Sequence, residues 1–305
     1  MSRRACLIVN PSAAGGRPQR LLAGVRRALE GDGVELRVES TRSLDHAREL
    51  AREAAGREEV AVTLGGDGLV GAVAGELAVV DGLLGILPGG RGNDFARVLG
   101  IPLDAEEACA VISTGIERRL DLGEVNGRPF IGIASAGFDS VANRIANEAP
   151  ARLGNLVYAY GALRALATWR PARFDLELDG ERRSFEGYSV AAANSKAYGG
   201  GMFLAPDAEL DDGLLDVVVG EHSSKRHFLA TLPKVFKGEH VHDPTVHVWR
   251  CAELRVSADR PFVMYADGDP IGELPVVVRV RARVLRALVP GPQDAAPAPP
   301  APAAG

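Results

Sequence analysis

The sequence predicts an α/β domain with a parallel sheet, followed by a largely antiparallel β domain. The chain has 305 residues, a length typical of two domains. Up to about residue 120, short apolar runs alternate with helical patterns, as in a parallel sheet covered on both faces. Beyond that point, strand-like segments are separated by Gly, Asp and Pro, which favours antiparallel pairing.

The first domain, residues 1–120, alternates strands and helices. Short apolar or alternating runs predict strands at 5–10, 34–40, 60–64 and 83–88. Helical patterns follow at about 19–29, 44–55, 69–79, 95–99 and 104–113. The returning segment 283–289 is a candidate for completing this sheet.

The second domain, residues 121–282, contains strand-like runs and one helical region at about 153–169. The Pro/Ala-rich end, residues 290–305, is expected to be disordered because it cannot bury a core. The HVH sequence at 240–242 is interpreted as strand with both histidines facing solvent, and Trp169 as a core residue.

Composition excludes several classes of protein. The formal net charge of −5 shows no bulk basicity that would indicate nucleic acid. Glu76 and Asp81 interrupt the longest apolar stretch, so no transmembrane segment is expected. The cysteines Cys6, Cys109 and Cys251 are widely spaced and form no CxxC pair, which favours a reduced, cytoplasmic protein.

Glycine-rich loops follow three of the predicted parallel strands, at 10–16, 65–69 and 88–94. The carboxyl ends of such strands meet at one edge of the sheet, where glycines let backbone N–H groups approach an anion. We therefore expect a phosphate cradle. A carboxylate in the second loop, Asp67, favours phosphate with Mg²⁺ over a dinucleotide. Arg17 and Arg91 are candidate cations, because the loops contain no lysine.

The ordered motifs NPSAAGG, GGDG, PGGRGNDFARVLGIP, NSKAYGGGMFLAPDAELDDGLLDVVV and YADGD carry a resemblance. Together they resemble the catalytic domain of the diacylglycerol kinase family, closest to soluble bacterial lipid kinases and related to sphingosine kinases. The resemblance implies a Rossmann-like α/β domain, a C-terminal antiparallel β-sandwich and an active site in the cleft between them. It also implies ATP- and Mg²⁺-dependent phosphorylation of a lipid hydroxyl, with diacylglycerol as the first candidate acceptor and phosphatidic acid as its product. Contact with the membrane surface would be peripheral and reversible, and a homodimer is one alternative for the assembly.

The resemblance also implies site residues. Asp269 matches the proton-acceptor position, while Asp67 remains an alternative catalytic base. The structural magnesium site would involve Glu209, Asp212 and Leu214, with Glu209 and Leu214 ligating through their main-chain carbonyls. The nucleotide-binding residues would be Asn10, Pro11, Ser12, Gly15, Gly16, Thr41, Gly65, Gly66, Asp67, Gly68, Leu69, Val70, Gly71, Arg91, Gly92 and Asn93. Asp94 is interpreted as a cap of the following helix, with a metal-linked role through water as an alternative.

Three positions depart from the family pattern. Leu69 and Arg91 stand where the family has threonine, and Asp269 stands where it has glutamate. These departures leave open a catalytically silent protein that binds lipid or nucleotide. An NAD kinase-like enzyme is the other alternative, because NAD kinases share the GGDG motif.

Overall fold

The computed structural model of the chain describes residues 3–149 and 157–291. The chain divides into two compact units. Unit 1 runs to Leu120 and includes the segment that returns at Val284, and unit 2 is the part between them. Most of the expected disordered end, residues 290–305, lies outside the described residues.

Unit 1 is built on a parallel sheet. Its strands are β1 (Arg4–Val9), β2 (Glu35–Ser40), β3 (Val60–Gly65), β4 (Leu83–Pro88) and the end of β15 (Val276–Val289). Every neighbouring pair is parallel, in the order β2–β1–β3–β4–β15. Strands β1, β3 and β4 are apolar along their length because both faces of the sheet are covered. The α/β part of the predicted fold class is confirmed.

Helices connect the strands of unit 1. They are α1 (Arg17–Gly31), α2 (Leu44–Gly56), α3 (Asp67–Val80), α4 (Asp94–Val98) and α5 (Cys109–Thr114). Helix α2 illustrates how the sequence specifies the start and the buried face of a helix. The Ser43 hydroxyl accepts the His46 N–H at 3.1 Å and caps the first turn. The apolar stripe of α2 then packs inward at helical spacing, through Ala47, Leu50, Ala51 and Ala54.

The predicted helix at 104–113 is shorter than expected. The Asp104 carboxylate accepts the backbone N–H groups of Glu106 and Glu107, at 2.9 and 3.1 Å. These two bonds stabilise a local turn in place of the first helical turn, so the helix itself begins only at Cys109.

Unit 2 is an antiparallel β structure. Its strands are the second half of β5 (Ile116–Val125), then β6 (Arg128–Phe130), β7 (Ile133–Gly137), β8 (Ala172–Leu178), β9 (Glu181–Ala193), β10 (Leu215–Glu221), β11 (Val246–Cys251), β12 (Glu253–Ala258), β13 (Val263–Ala266), β14 (Asp269–Glu273) and the beginning of β15. The pairs β7–β9, β8–β9, β8–β12 and β12–β15 are all antiparallel.

The long strand β9 changes partner along its length. Residues 181–187 pair with β8, and residues 189–193 pair with β7 and also with β10. A strand that changes partner lets one segment belong to two layers, as at the corner of a β-sandwich. The predicted antiparallel β domain is thus confirmed.

Aromatic side chains form the core of unit 2. The rings of Tyr188 and Phe228 stack with centroids 4.0 Å apart. Phe138 meets Trp169 edge to face at 5.7 Å. Trp169 is 7% exposed, so its assignment to the core is confirmed.

The described part of unit 2 contains one α-helix that was predicted and two that were not. Helix α7 (Val157–Thr168) lies within the predicted region, whose first residues are outside the described range. Helices α6 (Phe138–Glu148) and α8 (Lys225–Thr231) were not predicted. The described residues contain no helix long and apolar enough to cross a membrane.

The strand predicted at 240–242 is wrong. Residues Glu239–His242 form a 3-10 turn that follows Gly238, a residue with φ of 71°. His240 is only 3% exposed, and its Nε2 lies 3.0 Å from the carbonyl oxygen of Leu204. Burial lowers the pKa of this histidine, so it is neutral at pH 7.

Candidate active site

The three glycine-rich loops lie side by side in unit 1. They follow β1, β3 and β4, which are neighbours in the sheet. The N–H of Asn10 donates to Leu64 at 3.2 Å, and the N–H of Gly89 donates to Gly65 at 2.8 Å. These bonds connect each outer loop to the end of the central strand, so the predicted loops converge on one edge.

The first loop turns sharply between β1 and α1. Asn10 Oδ1 accepts both the backbone N–H and the hydroxyl of Ser12, at 3.2 and 3.0 Å, and Pro11 lies between them. Gly15 and Gly16 have φ of 67° and 81°, which glycine adopts without steric cost. The loop backbone thus reaches the start of α1 with Ser12 and Gly15 exposed.

The second loop places the N-terminus of α3 at the same edge. Among the described residues, the N–H groups of Asp67 and Gly68 have no acceptor. Free N–H groups at the start of a helix attract anions. Leu69 and Val70 instead donate their N–H groups to Gly66, at 3.0 and 3.2 Å. Their side chains are buried, so neither offers a side-chain contact to a nucleotide.

Leu69 also explains why residue 65, at the start of this loop, is glycine. A Cβ built on Gly65 would lie 2.7 Å from Cδ2 of Leu69. The leucine that replaces the family's threonine therefore packs against the loop backbone. The next predicted residue of this set, Gly71, lies within the first turns of α3.

The third loop is held in place by its own asparagine. Asn93 adopts φ of 52°, and its side chain bonds Gly90 twice, accepting the N–H at 2.9 Å and donating to the carbonyl at 3.2 Å. A Cβ on Gly90 would lie 2.4 Å from Cα of Gly66. The second and third loops can approach this closely only because both residues are glycine.

Two arginines and a threonine were also predicted to contact the nucleotide. Arg17 Nη1 donates to the carbonyl of Gly90 at 3.3 Å, so this guanidinium lies at the third loop. Arg91 is exposed and has no hydrogen-bond or ion-pair partner among the described residues. Thr41 is buried beside β1 and donates its hydroxyl to the carbonyl of Ser43 at 2.6 Å.

Two carboxylates converge on Gly92. A Cβ on Gly92 would lie 3.1 Å from Oδ2 of both Asp67 and Asp94. The other oxygen of Asp67 accepts the N–H of Phe95 at 3.2 Å, so Asp67 caps α4 from a distant part of the chain. A pair of carboxylates is a donor set that Mg²⁺ takes together with phosphate oxygens. The residues present therefore fit a nucleotide-bound Mg²⁺ held by Asp67 and Asp94.

In unit 2 the two aspartates of the YADGD motif differ in their environments. The Asp267 carboxylate accepts the N–H groups of Ile131 and Gly132, at 2.8 and 2.9 Å. Asp269 begins β14 and is exposed, and its carboxylate has no partner among the described residues. Asp267 therefore fixes the turn, and Asp269 has both carboxylate oxygens available.

Sequence reasoning assigned no role to Asn194 and Ser195, which the structure places against this turn. Asn194 is fully buried and donates Nδ2 to the carbonyls of Asp121 and Ile131, at 3.1 and 3.0 Å. The backbone N–H groups of Asn194 and Ser195 both donate to Gly132. The signal was the NSK sequence itself, an asparagine at the end of an apolar strand.

At the proposed structural magnesium site, the carboxylate of Asp212 already has partners within the protein. Asp212 pairs with Arg250 and accepts the N–H of Leu214 at 3.0 Å. The negative charge of Glu209 acts on the nearby carboxyl of Asp216. Burial, together with the neighbouring carboxylates, raises the pKa of Asp216 to about 6. Within the described residues, no group of three His, Cys, Asp or Glu side chains could hold a metal ion.

Unit 2 also contains a mostly apolar cavity of about 100 Å³. Its walls include Met202, Val218, Phe228 and Leu232. Asp139 adds a carboxyl whose pKa is raised to about 6 because it is removed from water, against a hydrogen bond from Ser189. The lining of the cavity, apolar with a few polar groups, is like that of small-molecule sites, which are usually larger.

Comparison with known proteins agrees with this geometry. Residues 4–125 match the family model "Diacylglycerol kinase catalytic domain". Residues 132–289 match "YegS C-terminal NAD kinase beta sandwich-like domain". The chain is 31% identical to a diacylglycerol kinase of Bacillus subtilis (strain 168), over 90% of this chain and 92% of that protein. It is 35% identical to a diacylglycerol kinase of Mycobacterium tuberculosis (strain H37Rv), over 93% and 94%.

Solved structures show the same fold. A crystal structure of a diacylglycerol kinase from Bacillus anthracis str. Sterne has a TM-score of 0.74 at 20% identity, covering 96% of this chain and 98% of that one. A second crystal structure from the same strain has a TM-score of 0.82 at 23% identity, covering 96% of each chain. The sequence matches over nearly the whole chain confirm the resemblance seen in its motifs, and the chain belongs to the diacylglycerol kinase family.

Proposed function

We propose that this kinase transfers the γ-phosphate of ATP to a lipid hydroxyl, with diacylglycerol as acceptor and phosphatidic acid as product. The observation that carries the proposal is the convergence of three glycine-rich loops at one edge of unit 1, with the free N–H groups of Asp67 and Gly68 at a helix N-terminus. Phosphoryl transfer depends on positioning and charge neutralisation more than on covalent chemistry. The loops supply both.

Each loop has a distinct task in this proposal. The backbone at Gly15 and Gly16 and the start of α3 bind phosphate oxygens, while Asn93 keeps the third loop against the second. Arg17 and Arg91 balance the charge of the triphosphate. Mg²⁺, held by Asp67 and Asp94, would neutralise charge on the transferring phosphate.

Asp269 is the proposed general base. A base must reach the proton that it removes, and this carboxylate is exposed and without a partner among the described residues. Asp267 holds the turn that presents it. Asp67 fits the base role less well, because one of its oxygens already accepts the N–H of Phe95.

The cavity in unit 2 supports a lipid acceptor. Its apolar walls suit an acyl chain, which gains about 0.8 kcal/mol for each CH₂ group removed from water. An NAD acceptor would bring charged phosphates and polar riboses, for which these walls offer little. The relatives compared above are named diacylglycerol kinases, which also favours a lipid over NAD.

The test is transfer of radiolabelled phosphate from ATP to a panel of extracted lipids, with NAD as a competing acceptor. We expect label in phosphatidic acid and none in NADP. Label in NADP alone would assign the NAD kinase-like function. No transfer to any acceptor, with ATP and lipid both bound, would assign the catalytically silent alternative.

A further inference from the structure

The segment from Lys225 to Lys237, here called the α8 segment, has two opposite faces. It comprises α8 and the 3-10 turn that continues it to Lys237. Its inward residues recur at helical spacing and are Phe228, Thr231, Leu232 and Val235. Phe228 stacks on Tyr188, which anchors the segment on the aromatic core of unit 2. The same inward residues line the cavity.

The outward face combines cations with large apolar side chains. Phe236 is 57% exposed and Leu229 is 41% exposed. The cations on this face are Lys225, Arg226, Lys234 and Lys237, all exposed. The chain has only four lysines, so three of them lie within these few residues. No carboxylate occurs in the segment, although the chain as a whole has a formal net charge of −5.

Most of this charge is not neutralised by the protein. Among the described residues, Arg226 and Lys237 have no hydrogen-bond or ion-pair partner. Lys225 donates to the carbonyl of Ala167 at 2.9 Å, which leaves its charge uncompensated. Lys234 lies 3.7 Å from Asp243, the one ion pair of the four cations within the described residues.

Among the described residues, two of the three acids that contact or flank the segment are already engaged. Asp243 also lies 2.9 Å from Nε2 of His227. Glu221, just before the segment, lies 3.2 Å from His247. Glu239 is exposed and follows the segment directly. The outward face therefore keeps a positive charge at neutral pH.

We infer that the outward face of the α8 segment docks on an anionic lipid bilayer. A helical face with cations around exposed apolar side chains lies in the membrane interface, where Phe236 and Leu229 enter the acyl region and the cations meet anionic headgroups. A purely polar polyanion would gain nothing from those two apolar side chains. Only the role of docking rests on the proposed function. Docking would bring the cavity behind the segment to the bilayer, which contains the lipid acceptor.

Vesicle binding without ATP or diacylglycerol tests the inference. We expect the protein to sediment with vesicles of phosphatidylcholine and phosphatidylglycerol and much less with phosphatidylcholine alone. The double variant R226Q/K237Q should bind the anionic vesicles about 30-fold more weakly, since one basic residue near such a surface contributes about fivefold. F236S should weaken binding in low and high salt alike, whereas the effect of the double variant should fade in high salt.

The matched control removes the same charge elsewhere. Arg27 and Arg182 are exposed, and Arg182 has only a 3.3 Å contact with Glu177. R27Q/R182Q should therefore bind vesicles like the wild type. Equal losses in both double variants would mean that overall charge drives binding and would overturn the inference. The inference is also overturned if the wild-type protein does not bind anionic vesicles. It is overturned as well if F236S dissociates a dimer and no vesicle binding is seen.

A kinase assay separates this inference from the proposed function. On diacylglycerol dispersed in detergent, R226Q/K237Q should match the wild type, and on anionic vesicles containing diacylglycerol it should be slower. If no lipid is phosphorylated in either form, the proposed function fails while the vesicle-binding result stands. If the double variant is equally slow on both forms, Arg226 or Lys237 acts in the reaction itself, and the docking role is wrong.

Discussion

The two aspartates of the YADGD motif allow the same substitution to be tested in two roles. Asp267→Asn leaves one amide oxygen as acceptor and presents an NH₂ group to the second backbone N–H, so one of the bonds from Ile131 and Gly132 is lost. A hydrogen bond to a charged group contributes about 1.5–3 kcal/mol. With the remaining bond also weakened by loss of charge, we expect the free energy of unfolding to fall by about 2–4 kcal/mol. Turnover should fall too, because the turn before Asp269 loosens.

Asp269→Asn should lower turnover without lowering stability. Its carboxylate has no partner among the described residues, so the melting temperature should not change. Turnover should fall by about 10²–10⁴-fold, the range for loss of a general base. Affinity for ATP, measured by calorimetry, should stay as in the wild type, since the phosphate loops are untouched.

Asp269→Glu sharpens the comparison, because it keeps the charge and extends the reach by one methylene. It should retain or raise lipid-dependent phosphate transfer. The reasoning is refuted if Asp269→Asn remains fully active. If Asp67→Asn is then inactive with normal binding of ATP and metal, Asp67 is the base instead.

The remaining predictions concern the loops and one buried acid. Gly90→Ala should destabilise the protein by about 1–3 kcal/mol, because its Cβ meets the Cα of Gly66 at 2.4 Å. Gly68→Ala is the control, since its Cβ meets nothing within 4 Å, and an equal loss of melting temperature in both would contradict the steric argument. Arg91→Thr should raise the KM for ATP, and an unchanged KM would mean that Arg91 does not contact phosphate. Burial raises the pKa of Asp216 to about 6 from 3.8, so its ionised form is disfavoured in the fold and stability is lost as pH rises through this window. Asp216→Asn should therefore be more stable than the wild type at pH 8, by up to about 3 kcal/mol, but not at pH 4. Thermal melts in EDTA at both pH values measure this difference, and an equal difference at both would exclude titration as its cause.

The sequence determined the architecture of unit 1 by itself. Buried parallel strands must be apolar on both faces, so β3 and β4 appear as continuous apolar runs whose ends match the structure closely. The loops were equally predictable, because glycines after parallel strands must meet at one edge. Helix α6 was missed, although Phe138, Val141 and Ile145 have helical spacing, because the apolar run before it suggested a strand.

Tertiary structure decided which polar groups are free to act. No local pattern shows that the carboxylate of Asp267 accepts the N–H groups of Ile131 and Gly132, while that of Asp269 has no such partner. Ile131 and Gly132 lie more than a hundred residues away in the sequence. Asp212 is likewise committed to Arg250, and His240 is buried against Leu204. Apolar periodicity depends on neighbours within a few residues, so the sequence contains it directly. Hydrogen bonds and ion pairs depend on atoms that only the folded chain brings within 3 Å.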